Sequence, residues 1–336
     1  MSLNANALVD EIDPEAHIEA QSQVTTGRGR LVVRRFLRNK GAAVGLVVVV
    51  LMFLAAFVGP HLDQWQYTDI DFENFQTPPS GAHWFGTTQT GQDLFALTMR
   101  GLQKSLIIGL VAGVLTTALA AAIGAFAGYY GGWTDRILSW GIDLFLVMPS
   151  FLMLSILSPW FKGKTWLILI PLLAGFAWMV TARIVRAQAM SLKSREFVSA
   201  ARFMGVPGWR IIVRHLLPNI ASLLIIDATL NVAATILGEV SLSFFGFGIQ
   251  APDVSLGTLI NTAQQDISSY QWLLVFPMIC LIILLLSVNL IGDGLRDALD
   301  PNAQGAKKKI TKSAFEAMIK ESADLVAQNP VEAIES

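Results

Sequence analysis

Three carboxylates in this sequence stand inside apolar runs: Asp143, Asp227 and Glu239, with Asn231 one helical turn beyond Asp227. An acidic or basic side chain at the centre of a membrane helix costs about 2.5 to 3.5 kcal/mol. Such groups are therefore paired, wetted or put to use as relays, ion sites or the wall of a polar path. Asp227, Asn231 and Glu239 are candidates for lining a translocation path, with internal hydrogen bonding as the equal alternative. Asp143 reads first as a structural anchor and second as a transport residue.

Other chemistry finds no constellation. The run Lys162-Gly163-Lys164-Thr165 contains the end of a phosphate-binding loop, but the glycine required earlier is Ser158, and no strand precedes it. His61 and His83 lack the spacing of a ligand pair and read as solvated or capping residues. The single Cys280 lies in an apolar run, which excludes an internal disulfide or a cysteine metal site. With no nucleophile beside a base, the expectation is no catalytic residue, no metal and no cofactor.

The elements that must position the polar groups are membrane helices. Of 336 residues 53 % are hydrophobic and 15 % charged, far from the balance of a soluble domain, and a net charge of −1 gives no case for nucleic acid. Apolar runs predict six spans near residues 41–58, 105–129, 136–159, 166–181, 220–244 and 272–291. Arg28, Arg30, Arg34, Arg35, Arg38 and Lys40 precede the first span, and between Arg183 and Arg214 seven basic residues meet one acid, Glu196. Both segments belong inside by the positive-inside rule. The reading is an all-α membrane protein of six transmembrane helices with both termini cytoplasmic. Gly109, Gly113, Gly124 and Gly128 in the second span, at small-residue spacing, predict close helix contacts.

Between the fourth and fifth spans, residues 194–219 are too polar for lipid. A helix from Ser194 to Met204 should stop at Gly205, turn through Pro207 and Gly208, and resume from Trp209 until Pro218. This knuckle, Ala200-Ala201-x-x-x-Gly205 followed by His215-Leu216-Leu217-Pro218-Asn219, resembles the EAA loop of ABC importer permeases in the peptide/nickel branch. The pattern's leading acid is Ser199 here, with Glu196 one turn earlier. HWFGTTQTGQD at residues 83–93 is similar to the family's entry to the second span, with Thr88 and Gln92 replacing an acid and an arginine. RILSWGIDLFLVMPS and the segment from Glu239 to Gly257 also resemble the family, and GDGLRDALDP at residues 292–301 is similar to its carboxy-terminal signature.

The resemblance implies a type I ABC importer permease fold, the C-type subunit of a dipeptide or oligopeptide importer in the cell membrane. It also implies a heterodimer with a homologous second permease, two cytoplasmic ATP-binding subunits and an extracytoplasmic solute-binding protein. The knuckle, with Glu196, Ala200, Ala201, Gly205 and Trp209, would then couple to the ATPases, and ATP hydrolysis would belong to those partners. Similar permeases also carry nickel chelates or glutathione. A stand-alone ion-coupled transporter using Asp143, Asp227 and Glu239 remains a second reading, and a membrane scaffold a third.

Three domains follow: a polar, acidic tail over residues 1–26 that does not read as a secretory leader, a permease domain over 27–301, and a tail over 302–336. The last carries Lys307 to Lys309 and an amphipathic run with Phe315, Met318, Ile319 and Val326. It is expected to be a solvated tail, with membrane lipid or an ATPase as alternative contacts.

Overall fold

The structure, a computed structural model, describes residues 28–161 and 166–299. The two tails and Lys162 to Thr165 lie outside the described residues. Among those described there is no strand, only an isolated bridge between Thr87 and Asp93.

Helix α1 (Arg28–Arg38) carries the basic run and stops at Asn39, whose side chain accepts from the backbone N–H groups of Gly41 and Ala42 and so caps α2 (Lys40–Leu62). At ~1.5 Å per residue, α2 is long enough for the ~30 Å hydrocarbon core. Its Ala42 packs with Phe36 of α1 and Ala298 near the end of α13 (Trp272–Leu299). Asn39 Nδ2 also donates to Asp297 at 3.1 Å. Among the described residues, the start of the first apolar helix and the end of the last thus sit side by side.

The centre of the bundle is α3 (Leu94–Tyr130), 37 residues long. It begins well ahead of the expected Ser105, because Asp93 caps it by accepting from Ala96 N–H at 2.8 Å. Its glycines serve two neighbours at two heights. A Cβ on Gly113 would lie 2.7 Å from the backbone N of Val232 in α11 (Ala221–Phe244). A Cβ on Gly128 would lie 2.8 Å from Ala189 in α7 (Met179–Lys193). Gly109 and Gly124 make the matching contacts one turn away, against Ile236 and Val185. Small residues let the backbones close in and gain dispersion contact that lipid cannot supply.

The expected third and fourth spans are each broken. Helix α4 (Gly132–Val147) meets α5 (Ser150–Leu157) at a bend of 81°. Pro149 at the break has no N–H for the helix ladder and disfavours helical backbone at Met148. Helix α6 (Leu169–Gly175) meets α7 at 45°. There the indole N–H of Trp178 donates to the Gly175 carbonyl at 3.0 Å and satisfies an end the helix leaves open. Among the described residues four helices, α2, α3, α11 and α13, are long and apolar enough to cross a membrane alone, and the count reaches six if each bent pair is one span.

Helices α8 (Glu196–Phe203), α9 (Gly208–Ile211) and α10 (Leu217–Asn219) lie between α7 and α11, with a π-turn over Ile212–Leu216. The chain does not break at Pro218. The wide turn, in which Leu217 N–H reaches Ile212 O, carries the helical path on to Asn219. At the opposite end, α12 (Leu256–Ala263) starts with a capping box between Ser255 and Thr258.

Candidate functional site: a closed knuckle and a polar network between helices

The knuckle is closed by backbone geometry. Gly205 has φ +76°, the left-handed region. Its N–H donates to Arg202 O at 3.0 Å, and Val206 N–H donates to Ala201 O at 3.1 Å. This pair of bonds satisfies the last carbonyls of α8 and fixes the direction in which the chain leaves it. Pro207 then presets the backbone for α9.

One side of the knuckle is built into the bundle. Val198, Ala201, Ile211 and Leu216 are buried with Ala125 and Tyr129 of α3 and Val185 and Ala189 of α7. The other side is bare. Phe203 is 91 % exposed, Met204 75 % and Trp209 53 %. Of the residues singled out in the sequence, Glu196, Ala200, Gly205 and Trp209 are exposed, while Ala201 faces inward. The residues the sequence reading omitted, Phe203 and Met204, are the most exposed apolar groups of the tip. Their position directly before the terminating glycine is the signal that marks them.

Within the bundle, Asp227 is held by three donors: Thr117 Oγ1 of α3 at 2.6 Å, Thr181 Oγ1 of α7 at 2.7 Å and Asn231 Nδ2 at 2.8 Å. Asn231 Nδ2 also donates to Thr117 Oγ1 at 3.1 Å. One carboxylate therefore joins three helices. Glu239 is fully buried, accepting from Ser105 Oγ at 2.9 Å and Ser243 Oγ at 2.7 Å. Ser243 in turn accepts from Ile249 N–H, so the same chain of bonds reaches the segment after α11. Asn231, with Ser150, Phe151, Phe176 and Thr235, lines a cavity of about 160 Å³ between α5, α6 and α11.

Further pairs carry no sequence signal because their members lie far apart in the chain. Asp143 pairs with Arg183, and Asp135 with Arg186, both between α4 and α7. Lys104, 1 % exposed on α3, pairs with Asp253 and lies 5.4 Å from the Trp166 ring. His83, read as solvated or capping, is buried between two carboxylates: Nδ1 is 2.9 Å from Asp93 and Nε2 3.2 Å from Asp71. Its ring stacks on Trp65 at 4.9 Å. The side-chain oxygen of Gln92, where the family has an arginine, accepts from Thr90 Oγ1 at 3.0 Å, and its amide donates to Tyr67 O at 2.9 Å.

No group of three metal-ligating side chains occurs among the described residues. Among the described residues, apolar helices long enough to span, tied by buried polar groups and carrying a protruding, closed knuckle, make up the architecture of a multi-pass membrane protein. A family model described as "binding-protein-dependent transport system inner membrane component" matches residues 120–305, and the N-terminal TM domain of oligopeptide transport permease C matches residues 27–79. The chain belongs to this family of ABC transporter permeases. It is 51 % identical over 284 residues to the oligopeptide transport system permease protein OppC of Mycobacterium tuberculosis, covering 84 % of this chain and 98 % of that protein. It is 37 % identical over 282 residues to a putative peptide permease protein of Brucella suis, covering 83 % and 93 %. OppC of Bacillus subtilis matches at 37 % over 270 residues, covering 80 % and 87 %.

Proposed function

We propose that this chain is the C-type permease subunit of an ATP-driven peptide importer, with Phe203, Met204 and Trp209 at the knuckle tip seated in a groove of an ATPase subunit. The observation that carries the coupling role is the contrast across α8 and α9: one side buried against α3 and α7, the other presenting three large apolar residues to solvent. Large apolar side chains exposed together on a polar, extramembrane knuckle favour a protein interface. Movement of the partner reaches α3 and α7 through Ala201, Val198 and Ile211, with no flexible joint between. Glu196, Ala200 and Gly205 frame the contact.

In this reading each bent helix pair is one span, giving six, and the knuckle end is cytoplasmic. The basic helix α1, Arg296 and the knuckle's arginines favour that side. A solute-binding protein would dock at the other end, on the segment around His83. A homologous second permease completes the path, and two ATPases supply the energy. Nucleotide binding then biases a two-state rocking of the spans. Asn231, facing the cavity, is assigned to the path, whereas Glu239 and Asp227 hold helices together.

The test is purification of the tagged chain from its own membranes in mild detergent, with identification of co-purifying proteins and an ATPase assay. Recovery of a second permease and ATP-binding subunits, both lost or uncoupled in Gly205→Trp, is the expected result. Recovery of the chain alone, with uptake driven by an ion gradient, would overturn the proposal.

A further inference from the structure

Helix α1 presents its residues in rows, because side chains four apart on a helix lie one above the other. Val32 and Phe36 form the inner row. Phe36 is buried with Ala42 of α2 and Ala298 of α13, and Val32, Ile291 and Leu295 pack around them. Beside this row runs an exposed apolar one, Val33 at 57 % and Leu37 at 56 %. Beside that again, at the same spacing, stand Arg30, Arg34 and Arg38, all exposed.

Among the described residues, no carboxylate forms an ion pair with Arg30, Arg34, Arg35 or Arg38. Nor is α1 a prolongation of α2: Asn39 between them is extended, at φ −79° and ψ 109°, so the chain turns where the apolar run begins. From there α2 turns Val44, Val47 and Leu51 outward, each more than half exposed, as a span does toward lipid. The junction has no slack. A Cβ on Gly294 of α13 would lie 2.1 Å from the Ala42 Cβ, and Asn39 Nδ2 donates to Asp297.

We infer that α1 is a docking strip for anionic phospholipid at the membrane surface where α2 begins, with Val33 and Leu37 at the acyl boundary and Arg30, Arg34 and Arg38 on the phosphate groups. A guanidinium fork matches phosphate oxygens, and a row of cations beside a row of apolar side chains is the pattern by which a helix lies in a membrane interface. Phe36 and Asn39 tie the strip to α2 and α13, so lipid held there fixes the height of both helices at that end. An acidic segment, such as residues 1–26 with Asp10, Glu11, Asp13, Glu15 and Glu19, would also answer the arginines. The bilayer, however, already surrounds α2, and its surface offers acyl chain and phosphate side by side, in the order of the two rows.

The experiment uses the purified full chain with its bound partners, carrying Cys280→Ala and a bimane label on Leu37→Cys, in phosphatidylcholine liposomes. The signal of the Cys280→Ala protein taken through the same labelling is subtracted. Quenching is followed as phosphatidylglycerol brominated on its acyl chains, or phosphatidylcholine brominated in the same way, replaces the host lipid. The expected result is quenching by both, with the anionic lipid at least about threefold more effective. About 0.5 M sodium chloride should remove that preference by screening, as should Arg30→Gln, Arg34→Gln and Arg38→Gln together; the salt comparison needs no variant of the strip to fold. Equal quenching by the two lipids would overturn the inference, since the arginines then hold no lipid phosphate. Quenching by neither would overturn it too, since protein then covers the face. Peptide uptake plays no part in the readout, so its failure would touch the importer reading alone.

Discussion

Thr181 of α7 donates its hydroxyl to Asp227 of α11 at 2.7 Å, across two helices that both rest on α3. Thr117 of α3 donates to the other carboxylate oxygen at 2.6 Å. Replacing Asp227 with Leu leaves the Thr117 and Thr181 hydroxyls without their acceptor, while the Asn231 amide keeps Thr117 Oγ1. The cost of each orphaned buried group is about 1 to 3 kcal/mol. We expect a clear fall in the thermal midpoint of the detergent-solubilised complex, with Asp227→Asn intermediate. An unchanged midpoint in the Leu variant would refute the tie.

The knuckle tip should separate binding from stability. Phe203→Ala and Met204→Ala remove side chains that touch solvent in this chain, so the midpoint of the isolated subunit should hold to within a degree or two. Retention of ATPase subunits on an affinity column should drop by at least tenfold for the double variant, as expected of a buried anchor at an interface. Retention at the level of the unmodified chain would place the contact elsewhere.

Glycine at 113 and glycine at 141 should behave oppositely. A side chain at Gly113 meets the Val232 backbone, whereas Gly141 has nothing within 4 Å of the added Cβ. Gly141→Ala should leave the complex as stable or more so, since alanine is favoured over glycine in a helix by up to about 1 kcal/mol. Gly113→Leu should lower the yield of folded complex severalfold, measured by size-exclusion chromatography. Equal yields for the two variants would sink the packing argument.

Acid should loosen the segment between α2 and α3. The Asn74 amide and the Glu73 backbone N–H, with His83 beside them, hold the Asp71 carboxyl below the usual carboxylate value of 3.8. The folded state therefore favours the ionised form. This contribution to stability is complete above that ordinary value and fades as pH falls through the lower folded one. Fluorescence of Trp65, stacked on His83, followed downward from pH 5 should show a transition that Asp71→Asn removes. A profile identical in the variant would assign the transition to other groups.

What was legible in the sequence was what local rules control. The stop at Gly205 follows from a glycine where only left-handed backbone fits, and the close packing of α3 from glycines four apart. The bends at Pro149 and Trp178 were not legible, because an apolar run conceals a change of direction and hydropathy weighs composition alone. Nor were the pairs Asp135–Arg186 and Lys104–Asp253, whose members meet only after the helices have packed. His83 was misjudged for the same reason: its two carboxylates come from separate turns of an irregular segment. Asp227 and Glu239 stand out in the sequence as groups that need an explanation, and the polar partners that supply one come from three helices, α3, α7 and α11.

The glycine pairs of α3 also order events during synthesis. Gly109 and Gly113 wait for Val232 and Ile236, and Gly124 and Gly128 for Val185 and Ala189. All of those residues leave the ribosome long after α3 has. The helix must sit in the bilayer with its two seams filled by lipid until α7 arrives at one and α11 at the other. Insertion and folding are thus separated in time, and a chain interrupted before α11 is complete would remain a set of inserted helices around an unclosed centre.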